Sequence, residues 1–481
     1  MKKLLLIIPV AILFIHLSYQ NDGPDSWTQV ISGAGPIWSI AVHPTNTAIM
    51  YVASNTAGIW KTTNAGANMT INNTGITNLT INFVAISPSS PNTLYCGGGA
   101  LALPNGMYKT TDGASNWTAI NNGIVEPVNA IQNISVHPTD PNTVLIAVWD
   151  GSATTNATSG VYKTTNGGTN WVGSSTGMGT NKNILCFARN PLNPNTVYAG
   201  TSLLVPNPPG TGPSYVYKSY DGGNTWTSMS SGLPTGATDI NPIRYMDVSR
   251  NDTSVAILGM FYNTALANQG VYVSTNGGTT WVMRNTGIPS AQGTLIRSVL
   301  IRPNSSTEFY AGVVVLGAGG VYRTTNAGVS WTNFSSGPLS FGSVVRQMYF
   351  RTLAPYGGAD STLLACNAGT IPTDMGVFAY TWGPLGINDP NTAPKEFSLT
   401  QNYPNPFNPV TKIVYQLPHQ SYVTLSVYDG AGKLVKVLVD GMQSQLVNTV
   451  EFNASDLSSG VYFYKITAGD FTSVKKMVLV K

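Results

Sequence analysis

Three arginines recur in one local context: Ile243-Arg244, Ile296-Arg297 and Val345-Arg346 each open an apolar stretch, at steps of 53 and 49 residues. A guanidinium presents its N–H donors in a planar fork, so three of them converging would hold a carboxylate or another anion through paired contacts. The plainer alternative is that each pairs with a carboxylate or carbonyl of its own surroundings. Asn82 and Gln132 stand in the same column earlier in the chain, which supports a polar mouth without naming a ligand. Other chemistry is thinly provided for. Acid and base hydrolysis needs two carboxylates at a set separation, yet no acid occurs between Asp25 and Asp112, and nothing singles out a pair such as Asp150 and Asp374. The four histidines make no Ser-His-Asp order, and His43 and His137 read as residues of equivalent His-Pro turns. Zinc-type clusters and phosphate-cradling glycine loops are missing, so neither a metal nor a cofactor is expected.

The elements that must position these arginines follow from a repeat. Six octads, TTNAGANM, TTDGASNW, TTNGGTNW, SYDGGNTW, STNGGTTW and TTNAGVSW, end at Met69, Trp117, Trp171, Trp226, Trp281 and Trp331, at steps of 48, 54, 55, 55 and 50 residues. That step suits one four-stranded blade of a β-propeller. Each octad follows a short aromatic strand such as GVYK at Gly160, with a second strand such as NTVYAGT upstream and an innermost strand before that. A seventh unit lacks the octad but keeps three strands, VRQMYFR, TLLACNA and GVFAYTW. Trp27-Thr-Gln-Val30 resembles Trp117-Thr-Ala-Ile120 and supplies the missing fourth strand, which closes a ring of seven blades and removes open sheet edges. The repeat then places the three arginines near the axis, on the face opposite the octad turns. Loops between second and third strands share that face, and their irregular stretches make Trp149, Asp150, Phe261, Tyr262 and Asp374 further ligand-contact candidates.

Composition agrees with an exported all-β protein. Only 9% of residues are charged, while 23 Tyr and 10 Trp supply apolar mass. The net charge of +4 is spread without a run of like sign, which argues against nucleic acid. Cys96, Cys186 and Cys366 are too few, and odd in number, for a fully paired disulfide framework, and each sits in or beside an apolar run as a buried thiol would. Residues 1–20, with Lys2 and Lys3 before an apolar core, have the form of a signal peptide. No later segment is long and apolar enough to span a membrane as a helix. Residues 21–386 are assigned to the propeller, 387–394 to a linker, and 395–481 to a small Ig-like β-sandwich of six or seven alternating strands.

In each octad the Asn or Asp side chain can accept backbone N–H groups of its own turn while glycine takes a left-handed conformation. The octads resemble the Asp-box, or BNR repeat, of sialidases, sortilin-type receptors, xyloglucan-cleaving hydrolases and a photosystem II assembly factor. The resemblance covers residues 27–386 and implies the fold far more than an activity. It also implies a structural role for Asn64, Asp112, Asn166, Asp221, Asn276 and Asn326. Sialidases carry an arginine triad, but their first arginine lies early in the propeller in an Arg-Ile-Pro motif, and here no arginine precedes Arg189. Their nucleophilic Tyr is paired with a Glu, and this propeller has only Glu126 and Glu308. The expectation is therefore a binding propeller without catalysis, taking a glycan or protein partner; the alternative is a divergent glycoside hydrolase acting on an anionic polysaccharide through Arg244, Arg297 and Arg346.

Phe397-Ser-Leu-Thr-Gln-Asn-Tyr-Pro-Asn-Pro-Phe-Asn-Pro409, Val427-Tyr-Asp-Gly-Ala-Gly432, Gly460-Val-Tyr-Phe-Tyr464 and the final Lys475-Lys-Met-Val-Leu-Val-Lys481 resemble the type A sorting domain of the type IX secretion system. That resemblance implies a Gram-negative bacterium, export through the secretion machinery by way of residues 395–481, and release or attachment at the outer-membrane surface.

Overall fold

In each octad the chain reverses between two strands through two consecutive residues at positive φ, such as Gly167 and Gly168. Alanine fills one of the two positions in three octads, at Ala65 (φ 60°), Ala114 (φ 71°) and Ala327 (φ 55°), where a Cβ is strained. The turn is held from inside. Thr164 Oγ1 donates to Asn166 Oδ1 at 2.8 Å and accepts from Gly168 N at 3.0 Å, while Asn166 Oδ1 accepts Asn170 N at 3.0 Å. Asp112 repeats the pattern, with Asn116 Nδ2 added at 2.9 Å. Hydrogen bonds from Asn116 and Thr110 hold its carboxyl well below the usual carboxylate range. Burial pushes Asp221 upward, but Thr225, Ser219 and Asn224 outweigh it and hold that carboxyl low as well.

These observations come from a computed structural model of the chain. The residues described are 27–99, 106–125, 130–150, 158–179, 182–201, 216–234, 242–260, 269–289, 294–303, 305–315, 319–335, 345–350, 362–368, 375–381, 397–402, 405–418, 420–443 and 447–481. The signal-peptide segment 1–20 and the linker 387–394 lie outside them. The chain divides into two compact units, the first spanning Trp27–Leu385.

The first unit is a seven-bladed β-propeller. Seven four-stranded antiparallel sheets each run from an innermost to an outermost strand. The innermost strands are Ile37–Val42, Ile81–Ile86, Ala130–Val136, Ile184–Arg189, Ile243–Val248, Leu295–Ile301 and Val345–Phe350, which number blades 1 to 7. In blade 7 the outermost strand is Trp27–Ile31, paired with Met375–Thr381 in the register Trp27↔Tyr380, so the chain's beginning closes the ring as expected.

Core packing lies between neighbouring blades. Octad tryptophans bind the preceding blade through the indole N–H: Trp117 to Asn72 O at 2.9 Å, Trp171 to Ile120 O at 2.7 Å, and Trp331 to Arg284 O at 2.8 Å. Trp27 does the same for blade 7, donating to Phe334 O of blade 6 at 3.0 Å. A second tie uses the next blade's octad turn, whose carbonyl at Gly277 accepts both Tyr198 OH and Lys218 Nζ at 2.8 Å. Blade 7 has no octad to offer blade 6. There Tyr310 OH at 2.5 Å and Arg323 Nε at 2.8 Å turn to Glu308 instead, which also pairs with Arg302 at 3.0 Å.

The second unit packs a three-stranded sheet on a four-stranded one, with Phe407, Ile413, Tyr415, Leu425, Phe452 and Tyr464 buried among the core residues between them. Phe407 sits against the final strand Phe471–Leu479, its N–H donating to Val478 O at 2.9 Å while Val480 N donates to Phe407 O at 3.0 Å. The Asn-Pro-Phe-Asn-Pro stretch thus lies along the last strand.

Candidate functional site

Every innermost strand carries a β-bulge at one position. The register slips between Ile37 and Ser39, Ile81 and Phe83, Ile131 and Asn133, Ile184 and Cys186, Ile243 and Tyr245, Ile296 and Ser298, and Val345 and Gln347. A bulge inserts one residue against its partner strand and re-aims its side chain. The seven inserted residues are Trp38, Asn82, Gln132, Leu185, Arg244, Arg297 and Arg346, and all seven line one small cavity at the ring axis. Phe83, Asn133 and Tyr245, which follow three of the bulges, complete its wall. The structure therefore brings the three arginines into one pocket, on the face opposite the octad turns, with Asn82 and Gln132 beside them.

Glycine in the preceding blade's second strand helps seat the arginines. A Cβ on Gly200 would stand 2.6 Å from Ile243 Cγ2, one on Gly259 2.5 Å from Ile296 Cγ2, and one on Gly312 3.1 Å from Val345 Cβ. Each of these apolar residues immediately precedes an arginine of the pocket, so the glycine lets the strand approach that delivers it.

The pocket holds about 40 Å³, room for an acid group or a water or two but not for a sugar ring. Its charge is one-sided. Burial pulls the guanidinium of Arg297 down to about 10, with Arg346 and Arg244 adding repulsion. Burial lowers Arg244 and Arg346 in the same direction. At neutral pH all three are cations. Burial pushes the Tyr245 hydroxyl up to about 12 against the pull of the three arginines, so it is a neutral donor beside them. Arg346 lies over the Trp38 ring, its Cζ 4.2 Å from the centroid, a cation–π contact that ties blade 7 to blade 1. Its Nε is buried without a hydrogen-bond partner. Asn82 Oδ1 accepts Asn55 Nδ2 at 2.7 Å, which orients that amide at the rim.

The loop candidates do not join this constellation. Trp149 ends the strand Val144–Trp149 and is not part of the pocket wall. Asp150 organises its own loop, its N–H donating to Ser159 Oγ at 2.9 Å and its Oδ2 accepting Thr158 N at 3.2 Å. Phe261, Tyr262 and Asp374 lie outside the described residues. The three cysteines are buried thiols. Among the described residues no group of three His, Cys, Asp or Glu side chains gathers as a metal site would require.

Sequence reasoning missed Trp38, Leu185, Phe83, Asn133 and Tyr245. The available signal was positional: in all seven blades the inserted residue follows an Ile or Val that is the first or second residue of the innermost strand.

Comparison with known proteins bears on both units. Residues 401–481 match the family model described as a secretion system C-terminal sorting domain. No curated protein matches the chain. Among solved structures the chain is similar to a GH74 xyloglucanase from Xanthomonas campestris, with 15% identity and a TM-score of 0.55 over 82% of this chain and 60% of that one. An ancestral GH74 enzyme gives 17% identity and a TM-score of 0.54 over 94% of this chain and 63% of the other. YCF48 from Cyanidioschyzon merolae gives 15% and 0.50 over 74% of this chain and 99% of the other. At such identities the likeness is one of fold. The chain spans less than two thirds of the length of the two GH74 structures. The sorting domain marks the protein for export by type IX secretion, to the medium or the cell surface of a Gram-negative bacterium. Among the described residues no helix is long and apolar enough to cross a membrane.

Proposed function

We propose that this protein is an Asp-box propeller, exported behind the signal peptide at residues 1–20, that captures an acidic extracellular glycan at its axial mouth and leaves it chemically unchanged. The observation that carries this reading is the delivery of Arg244, Arg297 and Arg346 by three bulges into one 40 Å³ pocket. A pocket of that size takes a carboxylate projecting from a chain rather than the sugar that bears it. Trp38, Asn82 and Gln132 at the same mouth offer the apolar face and amide groups that a saccharide uses.

Binding is favoured over hydrolysis by the make-up of the wall. Its residues are cationic, amide, aromatic or aliphatic, whereas glycoside hydrolysis runs on two facing carboxylates. Asp150, the described acid of the loop face that the sequence put forward, is engaged in its own loop.

Pull-down of the full chain on uronate polysaccharides, with a neutral xyloglucan beside them, tests the proposal. Retention on the acidic polymers that is lost in Arg297→Ala supports it. Equal retention by both chains, or release of new reducing ends, overturns it.

A further inference from the structure

A second cavity lies on the axis below the arginine mouth, toward the octad face, and holds about 360 Å³, within the range of small-molecule sites. It exists because a second column of the repeat is small on one side. Three residues beyond each bulge, blades 1 to 3 present Ala41, Ala85 and Ser135, where blades 5 to 7 present Asp247, Leu300 and Tyr349. Val42, Val84, Val136, Phe187 and Met348 make much of the remaining wall apolar.

One charged group on that wall has capacity to spare. Arg189 ends the innermost strand of blade 4; its Nε donates to Ser135 Oγ at 3.0 Å and its Nη1 to Pro194 O at 2.6 Å, which fixes the fork. Its Nη2 is buried and meets no hydrogen-bond acceptor. No ion pair among the described residues joins Arg189 to a carboxylate. The charge around it is positive in excess, since the guanidinium helps depress both His137 and Lys163. Asp247, the acid on the chamber wall, spends its oxygens on Val248 N at 2.9 Å and Ile301 N at 2.8 Å. A buried cation with an unused N–H is costly unless something accepts from it.

We infer that this chamber binds a small organic monoanion with an apolar body, an aliphatic or aromatic carboxylate, with its oxygens on Arg189 Nη2 and its hydrocarbon along the Val84 and Phe187 side of the wall. The site is of different character from the arginine mouth: Arg189 and Arg250, with Asp247 beside Arg250, on an otherwise mainly apolar wall, instead of three cations in a pocket too small for a carbon chain.

Calorimetric titration of the full chain tests it, with decanoate below its micellar concentration as probe and decyltrimethylammonium and inorganic phosphate beside it. Decanoate binds at one site, and the cationic chain of equal length does not. Arg189→Gln weakens decanoate at least tenfold. Because that variant also loses two structural hydrogen bonds, Ala85→Leu provides the independent arm: it fills the chamber, keeps Arg189 and weakens decanoate at least tenfold while the melting temperature stays within a few degrees. Lack of decanoate binding, equal binding of the cationic chain, phosphate binding as tight as decanoate, or full decanoate affinity in Ala85→Leu overturns the inference.

Discussion

Replacing Trp27 by alanine tests whether the beginning of the chain closes the ring. The side chain is 1% exposed, with its ring 5.5 Å from Tyr380 in its own blade and 6.2 Å from Phe334 in blade 6, while its Nε1 donates to Phe334 O. Truncation of a buried tryptophan costs about 3–5 kcal/mol, and leaving Phe334 O without its donor places the value toward the upper end. Trp27→Phe keeps most of the packing and loses the hydrogen bond, for about 1–2 kcal/mol. Gln29, two residues on, reaches Met375 O at 2.9 Å from an exposed position, and Gln29→Ala should stay within about 0.5 kcal/mol. Urea unfolding followed by tryptophan fluorescence reads the propeller alone, because all ten tryptophans lie at or before Trp382. The expected order of cost is alanine at 27, then phenylalanine at 27, then alanine at 29. A cost below about 1 kcal/mol for Trp27→Ala, or one no larger than that of Gln29→Ala, would refute closure by the Trp27–Ile31 strand.

Gly259→Ala puts a Cβ 2.5 Å from Ile296 Cγ2; it should cost about 1–3 kcal/mol by overpacking and weaken anion binding by displacing the residue before Arg297, read by urea unfolding and titration on one preparation. Ala65→Gly and Ala327→Gly relieve left-handed alanines, and the pair together should raise stability by about 1 kcal/mol once the added freedom of the unfolded chain is counted. Burial pushes Asp247 from 3.8 to about 6 against hydrogen bonds from Ile301 and Val248 and the charge of Arg250. The folded protein therefore holds this proton more tightly than the unfolded chain, and the group's contribution to stability falls as pH rises from about 4 to about 6, by about 3 kcal/mol in all. Stability of wild type relative to Asp247→Asn should fall by that order between pH 4 and pH 7, and a constant difference would show an ordinary carboxylate.

The blades were legible because each octad writes its turn twice over, in a small residue at positive φ and in a side chain that binds backbone N–H groups. Closure was legible because Trp27-Thr matches Trp117-Thr, and the structure gives both tryptophans the same bond to the preceding blade. The arginine column was legible because three successive blades keep the same Ile-Arg or Val-Arg pair. Trp38 and Leu185 occupy that column with unrelated side chains, so identity could not reveal them. Tyr245 was hidden for another reason: strict alternation along a strand sends consecutive side chains to opposite faces, and the bulge between Ile243 and Tyr245 lets Arg244 and Tyr245 line the same pocket. A bulge depends on pairing with Ala256–Met260, which no local pattern in Ile243–Val248 encodes. Trp149 and Asp150 stand apart from the axial pocket because a loop on the same face need not reach the axis.

The central claim, that three arginines at the axis form one anion site, is tested most directly by calorimetric titration of the full chain with a uronate oligomer, for wild type, Arg297→Ala and Arg346→Ala. Wild type should bind with an affinity that falls as salt rises, and each variant should lose at least tenfold, about 1.4 kcal/mol or more, while keeping its unfolding midpoint. Undiminished binding in both variants, or no binding by wild type at low salt, would contradict the account.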